Sequence, residues 1–222
     1  FRTIPVSEAA GIVVQNSGAS AQQARVALQA CDGSLTRAVE FLKSNERLQF
    51  RARVLEILSL LARADDWDII GFAADLVVRV KLPLDDVRAE QEAELAENAD
   101  FLAKSAIRQI EARNKRQITA KTLESLRQLA GIARSWLRDV MVVASGAPDT
   151  VVNDDAREAI EAAAAATTPP RAAAAIAAVR RCDAAISYNV SPETCIDAML
   201  FEIRDILYGR GMPDAAPRAY RR

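Results

Sequence analysis

The sequence predicts an all-α protein, and three observations support that prediction. Half of the 222 residues are apolar, alanine is the commonest residue, and only 5% are aromatic. The 8 glycines and 8 prolines cluster at a few places, whereas short strands would need them at regular turns. Apolar residues recur at three- and four-residue steps, which is the period of an amphipathic helix. A half-apolar chain of this length can bury a sizeable core, and we expect it to form two units.

The stretch from Thr119 to Ser145 predicts the central helix of a bundle. Its apolar residues repeat at helical spacing along one face, and further apolar residues widen that face. The face consists of Leu123, Leu126, Ala130, Ala133, Leu137, Val140 and Ala144, widened by Leu129, Ile132, Trp136 and Val143. A helix of about 25 residues, roughly 38 Å long, would therefore be covered on most of its circumference.

We predict a small three-helix unit over residues 1–44, a larger helical domain over residues 45–209 and a flexible tail over residues 210–222. Ser7 is predicted to cap the first helix, and serines also stand at the two other helix starts of this unit. The first unit has helices over Ser7–Asn16, Ser20–Ala30 and Ser34–Lys43. The larger one has helices over Leu48–Ala62, Asp65 or Asp66 to Val80, Pro83 to about Asn114, the central helix, Asn153 to about Ala166 with Asn153 as its cap, Arg171–Tyr188 and Pro192–Leu207. So small a first bundle buries little surface, and we expect it to lean on its neighbour.

Two charged stretches precede the central helix. Glu90, Glu92, Glu94 and Glu97 are typical of a solvated helix face, and because the chain has no histidine we predict no metal site there. The basic cluster at 113–116 is predicted to lie in a loop. There it is either an ordinary solvent-exposed group of charges or a contact for the phosphate backbone of a nucleic acid. The net charge of −1 provides no general attraction to nucleic acid or membranes, so any contact with DNA should be weak.

The cysteine pattern and the apolar runs bear on compartment and chemistry. The chain has an odd number of cysteines, and they lie far apart in the sequence: Cys31, Cys182 and Cys195. This pattern favours reduced, buried thiols in a cytoplasmic protein. No run of apolar residues is long enough for a membrane span, and no signal-peptide pattern is present. The chain opens on Phe1, which suggests a piece of a longer protein. It has no GxxxxGK[ST] loop, GxSxG elbow or histidine, so we predict no catalytic residue and no cofactor within it.

Several segments, in this order, resemble one protein family. The opening FRTIPVSEAA is similar to the exit from an AAA+ core, and CDGSLTRA (31–38) to the lid helix that carries sensor 2. The segments 133–155 and 175–203 are similar to a collar domain, with a W-x-R-D helix, a loop asparagine, and an N-x-x-P junction before the last helix. Together they resemble bacterial DNA polymerase III delta-prime subunits of the sliding-clamp loader, without the nucleotide-binding core.

The resemblance implies a three-helix AAA+ lid followed by a helical collar, and collars of five subunits pack into a ring. It implies a non-catalytic role in DNA replication, within a DNA-directed DNA polymerase (nucleotidyltransferase) complex. The partners would be gamma/tau and delta subunits in the cytoplasm. Arg37 takes the sensor-2 position, which approaches nucleotide phosphates in ATP-binding relatives. The alternative is that Arg37 is a surface or helix-capping charge.

A collar must offer apolar surface to its neighbours, and the last two predicted helices have apolar residues beyond one narrow stripe. We expect an interface centred on Phe201 and Ile206 and rimmed by Arg180, Arg181 and Arg204. The alternative is that these residues complete the intramolecular core. Two other functional interpretations also stay open at this point, namely a gamma/tau collar and an unrelated helical DNA-binding or interaction protein.

Overall fold

The computed structural model describes residues 4–98, 104–187 and 191–209, and over these ranges the protein is all-α without a strand, as predicted. Nine α-helices are present in the described residues. They are α1 Val6–Ser17, α2 Ala21–Ala30, α3 Leu35–Lys43, α4 Asn45–Leu60, α5 Asp66–Asn98, α6 Lys104–Ala144, α7 Arg157–Ala165, α8 Pro169–Ser187 and α9 Pro192–Tyr208. Two short 3-10 turns, Pro148–Thr150 and Asp154–Ala156, lie between α6 and α7. The predicted tail, residues 210–222, lies outside the described ranges.

Two hydrophobic cores of unequal size organise these helices. The small core lies among α1, α2 and α3 around Val13 and Phe41, both fully buried. The large core joins residues of α4 to α9, and from α2 it takes in only Ala30. Ala30 therefore marks the point at which the small unit reaches the large core.

Local sequence signals account for several helix ends, but the prediction that Ser7 caps the first helix is wrong, because α1 begins at Val6 and Ser7 lies inside it. Ser20 forms a capping box with Gln23, since each side chain bonds the other's backbone N–H. Asp65 accepts from the backbone N–H of Asp68 at 2.9 Å, so it caps α5. Gly18 and Gly209, with φ of 73° and 71°, end α1 and α9 in the left-handed conformation that glycine adopts without strain.

Helix α6 is the central element, as predicted, but it begins about one third of its length earlier. It spans 41 residues, about 61 Å, and contacts α2, α4, α5, α7 and α8. The placement of residues 113–116 in a loop is wrong, because they lie inside α6. No glycine or proline interrupts the sequence from Lys104 to Ala130, and its Lys, Arg, Gln and Ala residues are strong helix formers.

Helix α5 continues through Pro83, where the sequence predicted a new helix. An interior proline costs a backbone hydrogen bond, yet Val80 and Leu84 on either side are buried and hold the segment in place. The helix predicted from Pro83 to Asn114 is thus divided between α5 and α6. The C-terminal part of α5 and the N-terminal part of α6 lie side by side. Gln91 Nε2 donates to Gln117 Oε1 at 3.0 Å, and the side chains of Arg113 and Glu94 form an ion pair of 3.6 Å.

The small unit is joined to α6 and the following loop by polar contacts as well. Arg134 on α6 donates to both carboxylate oxygens of Asp32, at 2.7 and 2.9 Å. Gln22 on α2 donates to the carbonyl of Val152 at 2.6 Å. These contacts hold α2 along the side of the large core.

Candidate functional site

The most buried polar side chain lies on α6, next to the loop that leads to α7. Asp139 has no exposed surface, and its Oδ2 accepts hydrogen bonds from the backbone N–H groups of Val152 and Asn153, at 3.0 and 2.8 Å. The Asn153 Nδ2 donates to the same oxygen at 2.8 Å. Arg138 Nη1 donates to Oδ1 at 2.7 Å and to the carbonyl of Thr150 at 2.7 Å. A buried carboxylate with this many donors is a strong anchor for the loop.

Arg51 extends this network from α4. Its guanidinium donates to both carboxylate oxygens of Asp155, at 2.6 and 2.9 Å, and its Nη2 also donates to Asn153 Oδ1 at 2.8 Å. The hydrogen bonds from Arg51 lower the pKa of Asp155. Asn153 Nδ2 donates in turn to Ser135 Oγ at 2.9 Å. The network therefore links α4, α6 and the 145–156 loop.

The network corrects one prediction and limits the chemistry of this region. Asn153 does not cap a helix through its side chain, because its amide binds Asp139, Ser135 and Arg51. The tertiary hydrogen bonds of Asn153 are buried and partly charge-assisted, so they stabilise its side chain more than a local helix cap would. With its oxygens occupied and no exposed surface, Asp139 has the environment of a structural anchor and no access to a substrate.

Arg37 lies on α3 with its side chain half-buried. Its charge is one of those that oppose the rise in the pKa of the Cys31 thiol, which burial raises to about 11. No hydrogen bond or ion pair of Arg37 is found among the described residues. A guanidinium without a partner is compatible with either a phosphate contact or a surface charge, so the sensor-2 assignment stays a prediction.

The predicted interface residues of α8 and α9 fall into two groups. Phe201 and Ile206 are half-buried and pack against the large core. The side chain of Arg204 is only 8% exposed, since it bonds Asp66 at 2.7 Å and lies over the Phe201 ring. Arg180 and Arg181 are exposed. The apolar pair thus keeps part of its surface exposed, whereas Arg204 holds α9 against the start of α5.

A second apolar surface, which the sequence analysis missed, lies on α5. We call it the α5 stripe; it consists of Trp67, Ile70, Ala74, Val78 and Leu82. Trp67 is 80% exposed, Val78 57%, Leu82 56% and Ile70 45%, and all five residues recur at three- or four-residue steps on one face. The opposite face of the same segment is buried through Ile69, Ala73, Leu76 and Val80. A helix that is apolar on two faces is the sequence signal that could have revealed it.

A cleft of about 660 Å³ opens between the α3–α4 junction, α5 and α6. Phe50, Val80 and Leu84 give it an apolar floor, and the Arg47–Glu124 ion pair of 3.1 Å lies in its wall. The buried Nε2 of Gln128 lines this cleft and has no hydrogen-bond partner among the described residues. Cations and carboxylates alternate around the opening, so the cleft has no single charge preference.

The remaining carboxylates and thiols are dispersed. Glu90, Glu92 and Glu94 are exposed on α5, and within the described ranges no three His, Cys, Asp or Glu side chains come together as a metal site would require. The three cysteines are buried and form no disulfide. None of the helices described is both long and apolar enough to cross a bilayer.

With the fold and these surfaces in place, the chain was compared with known proteins. A scan against family models gave no match, and neither the curated proteins nor the solved structures gave one.

Proposed function

We propose that the chain is a non-catalytic assembly module of a bacterial DNA polymerase III clamp loader, the lid and collar of a delta-prime-type subunit. It acts by protein–protein packing with gamma/tau and delta subunits, and so contributes to sliding-clamp loading in DNA replication. Contact with DNA is weak and salt-sensitive, because it depends on a few surface charges. The chain binds no nucleotide itself, since it lacks a phosphate-binding loop.

The observation that carries the proposal is the network around Asp139. The motif residues that suggested a collar lie within it or beside it: Trp136 is fully buried one helical turn before Asp139, and Asp139 bonds Asn153 directly. A tryptophan, an aspartate and an asparagine that fix one helix–loop junction have a shared structural reason for occurring together. That makes the resemblance more specific than three separate matches.

The arrangement of the two cores gives further support. A three-helix unit beside a larger helical bundle is what a lid followed by a collar would require, with a boundary close to residue 44. The half-buried Phe201 and Ile206 leave apolar surface on α9 that a neighbouring collar could cover. Arg180 and Arg181 on the adjacent helix would set the register.

Reconstitution tests the proposal directly. The chain is mixed with gamma/tau and delta subunits, and complex formation is followed by gel filtration with light scattering. We expect a stoichiometric complex, weakened at least tenfold by Phe201→Asp and unchanged by Ala162→Asp on the exposed side of α7. Wild-type chain that stays separate from both subunits would refute the proposal. Equal assembly of a folded Phe201→Asp variant would place the interface elsewhere.

A further inference from the structure

Four of the eight large apolar side chains that are exposed among the described residues lie on the α5 stripe. Trp67 alone exposes 80% of its surface, and its indole lies at the start of the helix, beyond the contacts of the large core. Aromatic residues are enriched in protein–protein interfaces, and a continuous exposed apolar patch marks such a surface. The stripe runs over 15 residue steps, about 22 Å along a helix.

The spacing along the stripe is self-complementary. We propose that the α5 stripe pairs two copies of this chain, with the two helices antiparallel and Ala74 at the two-fold axis. Antiparallel pairing about Ala74 places Ile70 of one copy level with Val78 of the other, and Trp67 level with Lys81, one residue from Leu82. The small residues Gly71 and Ala74 lie at the centre, so the helices can approach to about 8 Å, and the large residues lie at the ends.

The charges along α5 favour the same orientation. The cap residue Asp65 and the first-turn residues Asp66 and Asp68 make the start of α5 acidic, and the far end of the stripe has Arg79 and Lys81. Antiparallel pairing sets the acidic end of one copy against the basic end of the other, whereas parallel pairing sets like charges together. Arg79 and Lys81 also pair within their own chain, with Asp75 at 2.9 Å and Glu193 at 2.8 Å. The charges therefore select the orientation, and the apolar residues supply most of the affinity.

The size of the surface sets the expected strength. A single helix face of this length is well short of the about 800 Å² per partner that stable complexes bury. We therefore expect a weak dimer, with a dissociation constant on the order of 100 µM. A net charge of −1 adds little mutual repulsion at neutral pH.

Sedimentation velocity over a concentration range that spans this constant tests the pairing. The wild-type chain should shift from monomer to dimer, and Val78→Asp should weaken association at least tenfold. Val6→Asp on α1 is the matched control, because Val6 is 68% exposed in the small unit. Circular dichroism checks that each variant is folded. A wild-type chain that is monomeric throughout, or that binds only a helix of another protein through the stripe, overturns the proposal.

Cross-linking tests the register independently of affinity. Ala74→Cys lies at the proposed axis, so oxidation should give a covalent dimer, while Ala162→Cys on α7 should not. Leu82→Cys should not cross-link to itself, because antiparallel copies keep these two positions about 24 Å apart. Background is low because the native thiols are buried. Equal self-cross-linking of Ala74→Cys and Leu82→Cys overturns the antiparallel arrangement. These tests need no clamp-loader subunit, so their outcome is separate from that of the proposed function.

Discussion

A Cβ placed on Gly131 of α6 would lie 2.1 Å from the carbonyl oxygen of Ala30, the last residue of α2. The backbone of the small unit therefore touches the central helix with no space for a side chain between them. Ala30 is also the residue through which α2 enters the large core. Glycine at this position of α6 is thus required by the approach of another backbone, although it weakens the helix.

The first prediction follows from this contact. Gly131→Ala should destabilise the protein by about 1–3 kcal/mol, because the added methyl group collides with a backbone that cannot rotate away. Gly11→Ala on α1 is the matched control, since a Cβ there meets no atom within 4 Å. The control should be neutral or stabilising by about 0.5–1 kcal/mol. Urea denaturation measures both, and equal stability of the two variants would contradict the contact.

The second prediction concerns the buried carboxylate. Asp139→Ala should lower the free energy of unfolding by about 3 kcal/mol, because it leaves buried donors of Val152 and Asn153 unpaired. Asp154→Ala, an exposed position two residues before the end of the loop, should change it by less than about 1 kcal/mol. Thermal and chemical denaturation give the comparison. A mild Asp139→Ala variant would mean that the loop is held mainly by Arg51.

The interior of α6 and the last two helices could be predicted from the sequence for a physical reason. Their residues repeat with one period over long stretches, and breakers such as Pro192 and Gly209 mark helix ends. Positions such as Leu137, Val140 and Val179 are accordingly buried as expected. Because hydrophobic periodicity depends on local structure, it predicts a helix correctly where the local and tertiary preferences of the segment agree.

The rest required tertiary information. The local sequence around Asn153 predicts a helix cap, but its side chain instead binds three buried partners elsewhere in the chain. Arg51 looks like any solvated cation until Asp155 is placed beside it, 104 residues further along the chain. Pro83 signals a helix start, yet burial on both sides of it keeps α5 continuous. No sequence period can report such pairings.

The third prediction is a pH dependence at the junction of α5 and α9. Hydrogen bonds from Lys81, then from Ser191 and the backbone, lower the pKa of Glu193 from 4.5 to about 2. A depressed pKa stabilises the fold above the unfolded value, and the stabilisation is lost as the pH falls from about 4.5 to about 2. Because the Glu193 side chain is 48% exposed, the contribution is a solvent-screened one of about 0.2–1 kcal/mol.

Glu193→Gln should therefore reduce stability at neutral pH and flatten its decline in acid. Glu158→Gln on α7, which also removes an exposed carboxylate, is the matched control. Its stability should decline in acid as that of the wild-type chain does. Denaturant midpoints measured between neutral pH and acid provide the data. The same acid slope in both variants would show that the Lys81–Glu193 pair contributes nothing measurable.

The fourth prediction concerns the thiols. Burial raises the pKa of Cys31 to about 11 and that of Cys182 to about 12, and it also raises the pKa of Cys195. Since the thiolate is the reactive form, none of the three should react with an aromatic disulfide reagent in the native state near pH 8. All three should react after denaturation. Rapid labelling of one thiol in the folded protein would indicate local opening at that helix.

The presence of two separate cores has a consequence for the order in which the protein opens. The small core of α1, α2 and α3 meets the large one at few points, such as Ala30 and the Arg134–Asp32 pair. Separately packed units can open at different free energies. Amide hydrogens of α1 and α3 should thus exchange with deuterium through a partial opening that leaves α6 closed. The amides around Trp136 should exchange only when the whole chain unfolds.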